Sequence, residues 1–280
     1  MPIRFTQKPG LVVYLTVGDP DLATTRAIAL AAIDAGADVL ELGVPFSDPL
    51  ADGPVIERAS HRAVANGTTL GDVLALARDL RAARPQTGLV LFSYLNPILR
   101  YGRSDAGERS GVGKRSGVGN FDRFTADAKA AGVDGVLATD LTIEEAEGGY
   151  LDAMHAAGLA PIFLAAPTST DDRLRRIAAV SQGFVYAISR VGITGTQQTL
   201  ASDARSLVER LRRYTTLPIA LGFGVSNAAH VAALGEFADA AVIGSAIVGI
   251  VEKSAPREAS AAVARFIEGL RPVVAAPTPR

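Results

Sequence analysis

Short apolar stretches rich in β-branched residues alternate along the chain with longer stretches rich in Ala, Leu and Arg. An apolar run of about four to eight residues between polar turns is typical of a buried strand. Eight such runs predict strands at Leu11–Thr16, Asp38–Gly43, Gly88–Tyr94, Gly135–Thr139, Pro161–Leu164, Gly183–Ile188, Pro218–Leu221 and Ala240–Ile243. Several are apolar almost throughout, which indicates parallel strands that are buried on both faces.

Segments with the period of an amphipathic helix lie between the predicted strands. They are Leu22–Ala35, Leu70–Ala83, Phe121–Ala131, Ile143–Ala157, Thr170–Val180, Ala201–Tyr214, Asn227–Ala233, Ala246–Glu252 and Arg257–Leu270. Eight strand–helix units in 280 residues fit an α/β protein with a single (β/α)8 TIM barrel. A doubly wound open sheet is the alternative, but it usually has fewer strands and a Gly-x-Gly-x-x-Gly turn after the first.

One segment interrupts the alternation. Residues 103–120 read RSDAGERSGVGKRSGVGN, a composition typical of a flexible loop. We therefore predict one barrel domain over residues 1–272, with a flexible insertion at 103–120 and a disordered tail at 273–280.

Composition excludes several classes of protein. The 28 Lys and Arg residues balance 29 Asp and Glu, which gives no bulk attraction to nucleic acid or to an anionic membrane. No apolar run is long enough to span a bilayer, and the N-terminus lacks the apolar core of a signal peptide. The chain has no cysteine, and the whole composition fits a cytoplasmic protein.

The second predicted strand contains a carboxylate near its C-terminal end. Glu41 interrupts an otherwise apolar strand, and active sites of (β/α)8 barrels form where the strands end. Burial raises the pKa of a carboxyl group, which suits it to move protons near neutral pH. A buried Glu41 paired with an arginine is the alternative.

Two further acids lie in the loop after this strand, Val44–Pro54. Asp48 and Asp52 stand on a segment stiffened by three prolines. An isolated Asp-Pro or Asp-Gly is more often a turn or a helix cap. Two acids directly after a strand-end glutamate indicate instead an acid/base pair.

Glycine-rich turns follow the last two predicted strands. Gly222–Ser226 reads GFGVS, and Gly244-Ser-Ala246 opens a helical segment. Barrels often hold phosphate at these two loops, where backbone N–H groups of a helix N-terminus bind the anion. We expect a phosphate site, with ordinary turn glycines as the alternative. The loop Ser189–Gly195 has the composition of a mobile lid or of a plain connector.

The positions of lysine and histidine disfavour several mechanisms. No lysine lies at a predicted strand end, as a Schiff-base aldolase requires, and the three histidines fall in helical segments. Zinc sites and Ser-His-Asp hydrolysis are disfavoured for the same reason. The remaining interpretation is proton transfer by carboxylates on a phosphorylated substrate, without a metal or an organic cofactor.

A long series of segments resembles the tryptophan synthase α chain. Its signature is LELGVPFSDPLADGP at Leu40–Pro54, and the likeness extends in matching order over most of Leu11 to Lys253. It includes Thr16–Pro20, Gly132–Leu137 with Asp140, Ala160–Phe163, Tyr186–Gly195, Gly222–Ser226 and Gly244–Val248. The resemblance implies a lyase of tryptophan biosynthesis that cleaves indole-3-glycerol phosphate by a retro-aldol reaction to indole and D-glyceraldehyde 3-phosphate.

The resemblance also implies roles for individual residues. Glu41 is then the proton shuttle at indole C3 and the glycerol hydroxyl, and Asp52 accepts a hydrogen bond from the indole N–H. The implied indole pocket consists of Tyr14, Phe92, Tyr94, Leu137, Tyr186 and Phe223. Thr194 belongs to the lid. The implied phosphate ligands are Gly195, Gly224, Gly244 and Ser245.

A β-chain partner in an αββα heterotetramer follows from the same resemblance, with pyridoxal phosphate bound by the β chain and no cofactor in this chain. The segment before the first strand is short for the helix that covers the barrel bottom in this family. The insertion lies on the catalytic face, near where the partner docks.

Two rival interpretations stay open. One is another phosphate-binding barrel, such as an isomerase or an indole-glycerol-phosphate synthase, but the strand-end lysine expected of that synthase is missing. The other is a catalytically inactive subunit that acts only as a partner or regulator of a β chain. The presence of both Glu41 and Asp52 argues against it.

Overall fold

In the computed structural model, which describes residues 3–102, 121–188, 197–222 and 224–270, nine parallel strands form one sheet that curls into a nearly closed barrel. The strands are β1 (Gly10–Thr16), β2 (Val39–Gly43), β3 (Gly88–Ser93), β4 (Gly135–Ala138), β5 (Ala160–Ile162), β6 (Leu164–Ala165), β7 (Val185–Ile188), β8 (Ile219–Gly222) and β9 (Ala240–Ile243). The insertion 103–120, the lid positions Thr194 and Gly195, the pocket residue Phe223 and the tail 273–280 lie outside the described residues.

The sheet order shows how the barrel closes. It runs β5-β4-β3-β2-β1-β9-β8-β7-β6, so the strands at its two ends are consecutive in the chain. They are two halves of one predicted strand, interrupted at Phe163. The backbone carbonyl of Phe163 accepts a hydrogen bond from the amide of Tyr186 at 3.2 Å. The predicted (β/α)8 barrel is confirmed.

Helices surround the barrel. The described residues form α1 (Leu22–Asp34), α2 (Pro54–Ala65), α3 (Leu70–Ala83), α4 (Leu95–Arg100), α5 (Asp122–Ala130), α6 (Ile143–Ala146), α7 (Gly149–Ala157), α8 (Asp171–Val180), α9 (Gln197–Leu211), α10 (Ala228–Gly235), α11 (Ser245–Lys253) and α12 (Pro256–Leu270). None of the helices in this part of the chain is long and apolar enough to cross a membrane.

The helices differ from the predicted set in two ways. The predicted helix Ile143–Ala157 is split, because Gly148 takes a left-handed φ of +96° and breaks the backbone hydrogen bonding. Helices α2 and α4 were not predicted. The start of α2 follows a run of Asp, Gly and Pro that is typical of a turn, yet Gly53 is its N-cap and Pro54 occupies its first turn, where a missing N–H costs nothing.

Two apolar layers stabilise the barrel. Side chains alternate along each strand, so one set faces the barrel interior and the other faces the helices. The interior set is Ile3, Val12, Val39, Val90, Leu137, Ile162, Phe184, Ala220, Ala240 and Val242. The outer set includes Leu11, Leu40, Leu42, Leu89 and Leu91 together with the buried faces of the helices.

The N-terminal segment covers the bottom of the barrel without a helix. Ile3 is buried, and the Phe5 ring packs edge-on against Phe184 with 6.1 Å between centroids. Asp38 anchors the segment, because its carboxylate accepts hydrogen bonds from the amides of Thr6 at 3.0 Å and Leu11 at 2.9 Å. The side chains of Ile3 and Phe5 thus cover the bottom of the barrel.

We expect Phe184→Ala to lower the free energy of unfolding by about 3–5 kcal/mol, because it empties the lower interior of the barrel. Leu50→Ala is the control, since Leu50 is 95% exposed and its loss changes stability by less than about 0.5 kcal/mol. Chemical denaturation measures both values. Equal losses in the two variants contradict the assignment of Phe184 to the core.

Candidate active site

The Glu41 carboxyl group lies inside the barrel. The register of β2 turns Val39, Glu41 and Gly43 inward, whereas Leu40 and Leu42 face the helices. Glu41 is fully buried, and neither carboxyl oxygen has a hydrogen-bond partner among the described residues. Burial without a partner raises the pKa of Glu41 to about 8, because the charged form loses its hydration. In this part of the chain no arginine pairs with Glu41, so the alternative of an ion pair is not found.

Aromatic side chains surround the upper interior next to Glu41. Tyr14 lies directly opposite Glu41 in the β1–β2 register. The Tyr14 and Phe92 rings meet edge to face, with 5.1 Å between centroids. Phe92 is in turn the register partner of Leu137 on β4. These side chains form a wall beside the carboxyl group.

Gly43 provides the space that the Tyr14 ring occupies. A Cβ atom at position 43 would lie 2.3 Å from the Tyr14 hydroxyl oxygen, far inside van der Waals contact. The same hydroxyl accepts a hydrogen bond from Thr16 at 3.4 Å. Burial raises the pKa of Tyr14 well above its usual range, so this hydroxyl stays neutral.

Asp52 is held over the barrel mouth by Tyr94. The Tyr94 hydroxyl donates to Asp52 Oδ2 at 3.2 Å and accepts from the Ala51 amide at 2.9 Å. Partial burial raises the pKa of Asp52 to about 6, although the hydrogen bond from Tyr94 acts in the opposite direction. Asp52 therefore ionises below neutral pH, whereas Glu41 still holds its proton there.

The predicted phosphate turn lies beside this wall. Gly244 is the N-cap of α11, and none of the side chains that the structure describes caps the helix at this end. A Cβ atom at Gly244 would lie 3.7 Å from Tyr14 Cβ and 3.6 Å from Ile56 Cδ1. Ser245 and Gly224 are exposed. The first amides of α11 thus remain available for an anion.

The structure brings most of the predicted site residues to the C-terminal end of the barrel. Tyr186 packs against the interior cluster on β7. Asp48 does not share the interior position of Glu41 and is exposed. Two residues of this region were not predicted from the sequence. They are Phe46, whose ring lies 5.3 Å from that of Tyr94, and Ile56 of α2, which lies beside Gly244. A prediction of α2 as a helix would have placed Ile56 on the side of that helix that faces the barrel.

The fold and the site together define a (β/α)8 barrel with two carboxyl groups, one buried and one half-buried, and a helix N-terminus near the C-terminal ends of its strands. The chain belongs to the tryptophan synthase α chain family, because the model of that family matches residues 3–275. The α chain of Solibacter usitatus is 47% identical over 253 residues, which are 90% of this chain and 87% of that protein. The α chain of Methylibium petroleiphilum is 44% identical over 96% of this chain and 92% of that protein.

Solved structures agree with this assignment. Mycobacterium tuberculosis tryptophan synthase superposes with a TM-score of 0.80 at 33% identity, over 94% of this chain and 91% of that one. A chain of the Pyrococcus furiosus tryptophan synthase complex superposes with a TM-score of 0.79 at 34% identity, over 94% of this chain and 98% of that one. The family is one of lyases and has its role in tryptophan biosynthesis.

Stability should fall with rising pH because of Glu41. Between about pH 4.5 and 8 the folded chain keeps a proton at Glu41 that the unfolded chain has released, so rising pH favours unfolding. We expect the unfolding free energy of the wild type to fall relative to Glu41→Gln by up to about 1.4 kcal/mol per pH unit. Denaturant titrations of both chains across this window measure the difference. Parallel curves contradict the raised pKa.

Proposed function

We propose that this chain cleaves indole-3-glycerol phosphate to indole and D-glyceraldehyde 3-phosphate. The observation that carries the proposal is the buried Glu41 carboxyl group, which has no hydrogen-bond partner among the described residues and is protonated at neutral pH, beneath a loop that holds an ionised Asp52. Membership of the tryptophan synthase α chain family supports the choice of substrate.

Glu41 acts first as an acid and then as a base. It gives its proton to C3 of the indole, and the protonated ring becomes an electron sink. The Glu41 carboxylate then takes the proton of the glycerol hydroxyl, the carbon–carbon bond breaks, and its electron pair returns to the ring. The aldehyde forms on the glycerol fragment and indole keeps the proton at C3. A pKa near 8 suits both transfers.

Asp52 stabilises the charge that develops on the ring. Protonation at C3 leaves positive charge on the indole nitrogen, and an ionised carboxylate that accepts a hydrogen bond from the N–H stabilises it. Tyr94 fixes the carboxylate through its hydroxyl at 3.2 Å.

The remaining predicted residues bind and orient the substrate. Tyr14, Phe92, Leu137 and Tyr186 form the apolar pocket, and we propose that Phe223 completes it. The N-terminus of α11 at Gly244 and Ser245 binds the phosphate together with Gly224. On the lid loop Ser189–Gly195, Gly195 completes the phosphate site and Thr194 closes toward Asp52.

The chemistry assigned to Glu41 and Asp52 requires no cofactor in this chain. We propose that the chain acts in the cytoplasm as the α subunit of an αββα heterotetramer, and that pyridoxal phosphate belongs to the β chain. The single barrel domain over 1–272, the flexible insertion 103–120 and the tail 273–280 are part of the same proposal.

The decisive measurement is indole release from indole-3-glycerol phosphate by the wild type, with and without a β chain. Glu41→Gln should reduce turnover by about 10²–10⁴-fold, because the amide cannot give or take the proton. Circular dichroism checks that the variant is folded. Absence of wild-type turnover even with a cognate β chain would favour the inactive, regulatory subunit.

Asp52→Asn should reduce kcat by about a hundredfold, because the amide keeps an acceptor oxygen but loses the charge opposite the ring nitrogen. Asp48→Asn is the matched control, since it makes the same change at an exposed position of the same loop. The assay is the same release of indole. Similar losses in both variants contradict the role given to Asp52.

A further inference from the structure

Helix α2 is the support on which the Asp52 loop rests. The loop leads directly into α2, and Ser60 on that helix holds Phe46 at the start of the loop by two hydrogen bonds. The Ser60 hydroxyl accepts from the Phe46 amide at 2.8 Å and donates to the Phe46 carbonyl at 2.9 Å. The Phe46 ring packs against Tyr94, which holds Asp52. A displacement of α2 therefore displaces Asp52.

A single arginine of α2 joins this helix to two other elements. Arg62 donates Nε and Nη2 to the two carboxylate oxygens of Asp19, both at 2.8 Å, and Nη1 to Glu252 at 2.9 Å. Asp19 lies in the loop after β1 and its side chain is only 3% exposed. Glu252 lies in the last turn of α11, the helix whose first turn faces the proposed phosphate position.

The three hydrogen bonds that Arg62 donates to Asp19 and Glu252 require a guanidinium group. Its planar fork binds one carboxylate with two hydrogen bonds and a second with its remaining edge. Hydrogen bonds from Arg58 and Arg62 lower the pKa of Glu252 to about 2, so the Glu252 carboxyl group stays ionised at neutral pH. Among the described residues, Arg58 pairs only with Glu252, whereas Arg62 connects α2, the loop after β1 and α11.

We propose that Arg62 is a positioning residue for the reaction proposed above: it fixes α2, and with it Asp52, relative to α11. The proposal rests on the proposed function, because it takes the phosphate to bind at α11 and the indole nitrogen to face Asp52. The bound substrate bridges these two points, so a change in their separation changes its alignment with Glu41. Ile56 against Gly244 and Arg62 against Glu252 hold the two helices together at both ends of α11.

Arg62→Met tests the proposal in the complete chain, assayed with a β chain. We expect kcat to fall by about 10–100-fold, because small misplacements of a catalytic group are costly, whereas KM changes by less than about threefold since the phosphate site is intact. Arg62→Lys keeps the positive charge but cannot form the paired hydrogen bonds of the planar guanidinium group. Its kcat should therefore lie between those of the wild type and Arg62→Met.

A control removes an ion pair of the same two-bond geometry at a more exposed position. Arg84 binds Asp34 with the same two-bond geometry, both distances 2.7 Å. It follows α3 and so lies at the opposite end of the barrel from the site. Arg84→Met should leave kcat within about twofold of the wild type.

A spectroscopic readout reports the loop without any turnover. The chain has no tryptophan, so Phe46→Trp places a single indole fluorophore in the loop. Adding Arg62→Met should shift its emission to longer wavelength as the loop loosens and water reaches the ring, and adding Arg84→Met should not.

The outcomes separate the two proposals. If the wild type has no turnover, the proposed function is overturned and the emission shift alone decides the role of Arg62. If the wild type is active and Arg62→Met keeps both its kcat and its emission, the positioning role is overturned. If Arg62→Met does not fold, the test is made with Arg62→Lys. The proposal is overturned if Arg62→Lys has the same kcat and the same emission wavelength as the protein with Arg62.

Discussion

The burial of one carboxyl group determines much of the rest of this structure. Glu41 occupies an interior position on β2 that would otherwise take an aliphatic side chain, and no donor in the described residues pairs with it. Such a group stays neutral until the pH approaches its raised pKa, since ionisation without hydration is costly. The fold tolerates this group because it stays neutral and because the apolar residues around it are well buried.

The other parts of the site differ from Glu41 in their solvation, and that difference assigns their chemistry. Asp52 is only partly buried and is held by Tyr94, so it ionises at lower pH than Glu41. Two carboxyl groups near one mouth are thereby kept in different protonation states. The exposed N-terminus of α11 is where we propose that an anion binds, and the packing of α2 against α11 sets the distance of this helix end from Asp52.

Much of the fold was predictable, because hydrophobic periodicity reports burial directly. All eight predicted strands are present, and α3 has the predicted bounds Leu70–Ala83. The errors lie where local composition and tertiary context disagree. Helix α2 begins in a segment that resembles a turn, and its apolar positions Ile56 and Ala59 become meaningful only against Tyr14 and Val248. Gly148 breaks a segment whose periodicity is continuous.

The sequence by itself determined the alternation of strands and helices, the strand-end position of Glu41 and the loop position of Asp52, because these depend on neighbours along the chain. The family resemblance added the prediction of which residues form the indole pocket. Only the tertiary structure decided that Glu41 has no partner among the described residues, that Tyr94 holds Asp52, and that Arg62 joins Asp19 to Glu252, 233 positions further along the chain. Those facts depend on contacts between distant segments, which local periodicity does not encode.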